Sequence, residues 1–229
     1  MRPLLFGLAL AGLGVAMTAL DASAQAQDTT LYTATYVELV PPAKSTGASL
    51  LKAYREAGRR DAGNARLEVV QRLDRPSQFV VLAVWKDKAA FDAHMAAAHS
   101  KQLSSRLQPH FASPNDERQH NMLTVADSKA VAKGAIFVVT HVDVPPPRKD
   151  EVIPLLNQLA ADSRKENGNG RFDVWQQTSR PNHFTVVEAW SGQKAYDTHI
   201  MAAHTRQFRA KLTPMTGALY DERLYKMVD

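Results

Sequence analysis

The sequence predicts an α+β fold made of two ferredoxin-like βαββαβ units, their sheets packed face to face within one chain. Three observations predict it. Leu31–Leu123 and Ile136–Val228 align at a constant shift of 105 residues without insertion, and about a third of the aligned residues are identical. Arg75-Pro76, Phe79, Trp85, Asp92, His94, His99 and Asp116-Glu117-Arg118 recur as Arg180-Pro181, Phe184, Trp190, Asp197, His199, His204 and Asp221-Glu222-Arg223. A fixed period of this length marks a duplicated domain. Each copy also reads strand, helix, strand, strand, helix, strand, the order in which two helices cover one face of a four-stranded antiparallel sheet. Finally, a central strand of the second copy is apolar on both faces: Phe184, Val186 and Trp190 alternate with Val187 and Ala189. A strand buried on both sides needs a second layer, and the other copy is the nearest supplier.

Each element of the second copy has a local reason. Ile136–Val144 is β-branched and stops at three prolines, a strand ended by a turn. Lys149–Asn167 places Val152, Leu155, Leu156, Leu159 and Ala160 at helical spacing, with Pro154 near the first turn, where proline is best tolerated. Gly168 and Gly170 end that helix. Arg171–Thr178 and His183–Ser191 are strands around a Ser-Arg-Pro-Asn turn. Gln193–Ala203 is a helix, a shorter one continues to Leu212, and Tyr220–Val228 is the closing strand. The first copy repeats the order, with Leu50, Leu51, Tyr54 and Ala57 as its first helix stripe. The expected organisation is a leader over 1–26, repeat one over 31–123, a polar Ala/Lys-rich linker over 124–135 and repeat two over 136–229.

The leader is read as a secretory signal peptide. Arg2 precedes an apolar run from Leu4 to Leu20, and Ala22-Ser23-Ala24 and Ala24-Gln25-Ala26 are small-x-small cleavage patterns. The expected mature chain is periplasmic or secreted and not membrane-bound. The absence of cysteine excludes disulfides, thiolate nucleophiles and Cys-ligated metal centres, and export without disulfides suits a bacterial periplasm. The net charge of +5 comes from scattered Lys and Arg with no aromatic-interleaved basic stripe. Nucleic acid is therefore not an expected partner; a small aromatic or anionic molecule is.

Asn182-His183-Phe184-Thr185-Val186-Val187-Glu188-Ala189-Trp190, then Ala195-Tyr196-Asp197-Thr198-His199, then Ala203-His204-Thr205-Arg206-Gln207-Phe208 resembles the antibiotic biosynthesis monooxygenase family, whose pattern runs Phe-x-x-x-Glu-x-Trp, a helix ending in His, and a second His opening a short helix. The resemblance spans both copies. It implies a dimeric α/β barrel, here formed as a pseudo-dimer inside one chain, with further homo-oligomerisation left open. It also implies a ligand cleft between sheet and helices. Activities it implies include cofactor-independent oxygenation of quinols and phenols, isomerisation of a small sugar-derived signal, and haem breakdown. The last is discounted, because the regions around Ser104 or Arg209, and Thr140 or His141, lack the required histidine and asparagine. The expected function is a cofactor-free monooxygenase acting on a small quinol or phenol. A non-catalytic periplasmic binding protein and an isomerase of the same fold are the alternatives.

Differences between the copies select the candidate site residues. Glu188 stands where the first copy has Ala83, on a face shared with Phe184, Val186 and Trp190. A carboxylate there is costly unless paired, and burial would raise its pKa towards the range of a general base. The alternative is an ion pair with Arg171 or Arg223. Tyr196 replaces Phe91 and adds a hydroxyl; His141 replaces Tyr36 and offers a proton shuttle or a satisfied structural imidazole. Trp175 replaces Val70 and either lines an aromatic cleft or fills volume. His199 and His204 recur as His94 and His99, which favours scaffold, with cleft lining as the alternative. Their i, i+5 spacing on one continuous helix would set the rings roughly 140° apart, so no shared metal is expected. The expected catalytic residues are Glu188, His141 and Tyr196, with Trp175, His199, His204 and Arg171 shaping the pocket.

Overall fold

The computed structural model describes residues 28–126, 131–218 and 220–229. The expected leader and the centre of the linker lie outside the described residues. Eight strands and six helices follow in order: β1 (Leu31–Glu38), α1 (Lys44–Gly58), β2 (Asn64–Arg72), β3 (Gln78–Trp85), α2 (Lys88–Ala96), α3 (Ala98–Leu107), β4 (Asp116–Thr124), β5 (Ile136–Asp143), α4 (Lys149–Ser163), β6 (Asn169–Gln177), β7 (His183–Trp190), α5 (Gln193–Met201), α6 (Ala203–Leu212) and β8 (Asp221–Met227). Short 3₁₀ turns with proline at their start lead into α1 and α4, where the ring's fixed φ suits helix entry. Pro154 sits in the second turn of α4, which continues through it to Ser163.

The eight strands close into one barrel in the order β1-β3-β2-β8-β5-β7-β6-β4. Each copy contributes four strands, and the seams are β2 with β8 and β4 with β6. Among the described residues, closure leaves no sheet edge open to another chain. The period-two alternation separates two kinds of core. Inward residues Val80, Leu82, Phe137, Val139, Val187, Ala189 and Trp175 fill the barrel. Outward residues such as Phe79, Val81 and Trp85 meet α1 to α3, while Phe184, Val186 and Trp190 meet α4 to α6.

The barrel interior also holds a charged group related by the duplication. Arg171 donates to both carboxylate oxygens of Glu68, at 2.6 and 3.0 Å, and Arg66 donates to Asp173 at 3.1 Å. Arg66 and Arg171 are equivalent positions, as are Glu68 and Asp173, so each copy's guanidinium meets the other copy's acid. The two halves are joined by charge as well as by backbone.

Both copies break their second helix at one residue. Ala97 and Ala202 adopt extended backbone, with ψ of 154° and 145°, between α2 and α3 and between α5 and α6. In the first copy the Ser100 hydroxyl donates to the His94 carbonyl at 2.5 Å and caps the broken end. This break redirects the helix axis between the two histidines of each copy.

Candidate functional site

A cavity of about 220 Å³ lies in the first copy, between the outer face of the sheet and its helices. Thr33, Val81, Ala83 and Trp85 form its floor; Leu51 and Tyr54 of α1, Phe91 and Met95 of α2, and Leu103 and Ser104 of α3 form its walls. The exposed lining is mainly apolar, with Thr35, Ser100, Asn115 and Glu117 adding polar groups to it, a mixture usual for a small-molecule site.

One polar chain reaches into it. The Tyr54 hydroxyl lies 2.5 Å from His94 Nε2, and His94 Nδ1 lies 2.6 Å from Asp61 Oδ2. One proton arrangement satisfies all three: Tyr54 O–H donates to Nε2, and Nδ1–H donates to the carboxylate. His94 is buried against Trp85, with ring centroids 4.4 Å apart. Gly58, at the end of α1, allows this seat, since a Cβ there would come within 2.9 Å of the imidazole. Burial holds His94 below its ordinary pKa, opposed by the hydrogen bond and charge of Asp61. Burial also pushes the Tyr54 phenol up to about 12. At neutral pH the cleft therefore presents a neutral imidazole oriented by a carboxylate, the state required of a general base.

The same space in the second copy is occupied by larger side chains. Ala83, Leu103, Ser104 and Asn115 of the first copy correspond to Glu188, Phe208, Arg209 and Tyr220. The Glu188 carboxylate accepts from Trp190 Nε1 at 2.8 Å and lies 3.6 Å from His199 Nε2. Arg209 donates to Glu222 at 2.6 Å and lies against the Tyr220 ring, and the Tyr196 hydroxyl donates to the same Glu222. Burial pushes the Glu188 carboxyl up to about 8, against the hydrogen bond from Trp190. Tyr54 has no hydroxyl counterpart here, since Leu159 takes its place.

The sequence-derived candidates divide across the sheet. Glu188, Tyr196, His199 and His204 gather on the helix side of the second copy. His141, Trp175 and Arg171 face the barrel interior, so they share no pocket with Glu188. Trp175 packs against Tyr32, with centroids 5.3 Å apart. Arg171 pairs with Glu68 rather than Glu188, and Arg223 pairs with Asp221. His141 lies 3.2 Å from the Arg118 guanidinium; burial and then Arg118 bring its pKa down to about 3. Contrary to the expectation from continuous helical spacing, the two histidines of each copy approach one another. Because the helix breaks at Ala97, His94 Nδ1 and His99 Nε2 converge to 3.3 Å instead of pointing 140° apart. Asp61, His94 and His99, and likewise Glu166, His199 and His204, bring ligand atoms within 4.8 Å of one another. Asp61, Tyr54 and the first-copy cleft are what sequence reasoning missed. The available signal was the smaller residue at four aligned positions of the first copy.

Comparison with known proteins agrees with this architecture. Residues 31–106 and 135–211 each match the family model described as antibiotic biosynthesis monooxygenase. A relative in Bacillus subtilis (strain 168), named “Putative monooxygenase YcnE”, is 28% identical over 86 residues, covering 38% of this chain and 90% of that protein. A solved structure from Fusobacterium nucleatum, of the same description, superposes with a TM-score of 0.80 at 14% identity, over 89% of this chain and 94% of its own. An anthrone oxidase-like protein superposes with a TM-score of 0.68 at 14% identity, over 89% and 93%. At these identities the two structures establish the fold alone.

Proposed function

The chain belongs to the antibiotic biosynthesis monooxygenase family, and from its monooxygenase-type fold we propose an exported, cofactor-independent monooxygenase whose substrate, a small quinol or phenol, binds in the first-copy cleft. One observation carries the choice of cleft: the open, largely apolar cavity contains a neutral His94 held between Tyr54 and Asp61. Export rests on the apolar run Leu4–Leu20 and the small-x-small patterns that follow it.

In the proposed reaction the ring seats against Trp85 and Phe91, and its hydroxyl meets Tyr54 and His94. The acidic proton passes to His94 Nε2 through the Tyr54 hydroxyl, which gives its own proton to the imidazole, and Asp61 stabilises the imidazolium that forms. The electron-rich anion passes an electron to dioxygen, and the two radicals combine to a peroxide at the activated carbon. Loss of water leaves a quinone carbonyl: the ring C–H, the hydroxyl proton and O₂ become C=O and H₂O, with the hydroxyl proton returned from His94 to the departing oxygen. The apolar walls keep bulk water from quenching the anion.

Oxygen uptake by the purified chain lacking residues 1–26, with a quinol and phenol panel and no added cofactor, tests this. His94→Gln and Ser104→Arg are each expected to lower uptake at least 100-fold, the first by removing the base and the second by filling the cleft. The Glu188 carboxyl, pushed up to about 8, supports a second site on the closed side. Uptake lost in Glu188→Gln but kept in Ser104→Arg would move the reaction there. Uptake absent from every member of the panel would refute the oxygenase assignment.

A further inference from the structure

The closed copy contains a side-chain cluster that an oxygenase cleft does not require. Glu166 follows α4 in the chain, His199 lies on α5 and His204 on α6. Glu166 Oε1 is 2.6 Å from His199 Nδ1 and 2.9 Å from His204 Nε2. Two imidazole nitrogens and one carboxylate oxygen therefore meet at one point. Around a tetrahedral zinc ion with bonds of about 2.0–2.1 Å, neighbouring ligand atoms lie about 3.3 Å apart. The two carboxylate-to-imidazole distances reach that spacing if they lengthen by a few tenths of an ångström, and the two imidazole nitrogens lie within 4.8 Å of each other.

A second observation points to a cation at this place. The other ring nitrogen of His199 faces Glu188 Oε2 at 3.6 Å. A carboxylate behind a histidine ligand is the usual outer support of a metal site, fixing the ring's tautomer and direction. Glu188 is 3% exposed and accepts one hydrogen bond, from Trp190. The neighbouring Arg209 is engaged by Glu222. A buried carboxylate without a full cationic partner is costly. Glu166 and Glu188 together offer the two negative charges that would balance a dication held by Glu166, His199 and His204.

The first copy provides the contrast. Asp61, His94 and His99 repeat the three ligand types, but Ala83 replaces Glu188, and the second nitrogen of His94 is taken by the Tyr54 hydroxyl. That cluster lacks the second carboxylate. We propose that Glu166, His199 and His204 form a binding site for one divalent transition-metal ion of the zinc class, with Glu188 as the outer carboxylate on His199. The His204 side chain is 26% exposed, which opens a route from solvent and leaves a fourth position for water. The ion ties α5 and α6 to the segment after α4 and, through Glu188, to β7.

The test is titration of chelator-treated chain with Zn²⁺ by calorimetry, and with Co²⁺ by visible absorption for tetrahedral coordination. One equivalent per chain is expected, with Tm raised by zinc. His204→Ala and Glu166→Gln should each weaken binding at least 100-fold, and Glu188→Gln about 10- to 100-fold. Both substituted ligands are partly exposed, and circular dichroism of each variant confirms the fold. His99→Ala should leave the stoichiometry at one. No saturable binding tighter than about 10 μM would overturn the proposal. Binding lost in His99→Ala but retained in His204→Ala would place the ion in the first copy. Two equivalents of equal affinity would overturn the charge argument that singles out the second.

Discussion

Glu68→Gln is expected to destabilise the chain by about 3 kcal/mol, and the estimate follows from the barrel interior. Glu68 and Arg171 meet through two hydrogen bonds of 2.6 and 3.0 Å, with side chains 8% and 4% exposed. At an effective dielectric near 20, unit charges roughly 3–4 Å apart attract by about 4–5 kcal/mol. The substitution removes that attraction and leaves one uncompensated positive charge among Arg66, Arg171 and Asp173. The nearest remaining acid, Asp173, lies 4.0 Å from Arg171 Nε. The glutamine oxygen still accepts one hydrogen bond, which regains about 1 kcal/mol. The remainder lies at the lower edge of the range of about 3–5 kcal/mol for breaking a buried pair from one side. Urea unfolding followed by the buried Trp85, Trp175 and Trp190 measures it. With an m-value of about 2–3 kcal/mol/M, the midpoint should fall by about 1 M. The double variant Glu68→Gln/Arg171→Met removes one charge of each sign, leaves Arg66 and Asp173 paired, and should be more stable than Glu68→Gln alone. A single-variant loss below about 1 kcal/mol, or a double variant no better than the single, would refute the idea that this pair is dry and coupled.

Three further outcomes follow from other parts of the molecule. The kcat/KM for oxygen uptake should be flat above the ordinary histidine range and fall only on its acid side, because burial lowers the pKa of His94 and the neutral ring is the active form; an acid limb centred above about 6.5 would contradict this. Asp61→Asn removes the influence that raises that pKa, so it should move the acid limb to still lower pH while reducing the plateau; a limb moving upward would show that Asp61 does not act on His94. Gly63 has φ of +80°, and a Cβ there would lie 2.7 Å from the Ala90 Cβ, so Gly63→Ala should cost about 2 kcal/mol of stability. A cost under about 0.5 kcal/mol in urea unfolding would show that the turn relaxes.

Much of the fold was legible because it rests on local chemistry. Strand alternation put Phe184, Val186 and Trp190 on one face and Val187 and Ala189 on the other, and those are the faces that meet helices and barrel interior. The internal repeat supplied the second sheet. Less of the site was legible, for identifiable reasons. Glu188 was selected as an added functional group, whereas Ala83 marks the space its absence leaves. His141 and Trp175 differ between the copies as Glu188 does, but strand parity sends them through the sheet to its other side. The meeting of His94 with Asp61 depends on a loop placed by tertiary packing. The convergence of His94 with His99 depends on a single extended residue, Ala97, inside an otherwise helical pattern. Neither dependence is visible in spacing.

The two clefts allow the cost of an open site to be measured within one molecule. If the first-copy cavity of about 220 Å³ were dry and closed, its penalty at 24 cal/mol per Å³ would approach about 5 kcal/mol; access to water lowers that figure. The second copy avoids it by placing Phe208 where the first has Leu103, and Arg209 where the first has Ser104. Leu103→Phe therefore transplants a residue already accommodated by the same backbone, into space that exists. It should stabilise the chain by about 0.5–2 kcal/mol, the usual gain from filling a cavity, and it should lower oxygen uptake at least tenfold by excluding the substrate ring. Stability and activity are thus expected to move in opposite directions for one substitution. A gain in stability with undiminished uptake would mean that the cavity is spare volume and the reaction lies elsewhere. A loss of stability would mean that the first-copy helices pack too tightly on the sheet to accept the larger ring.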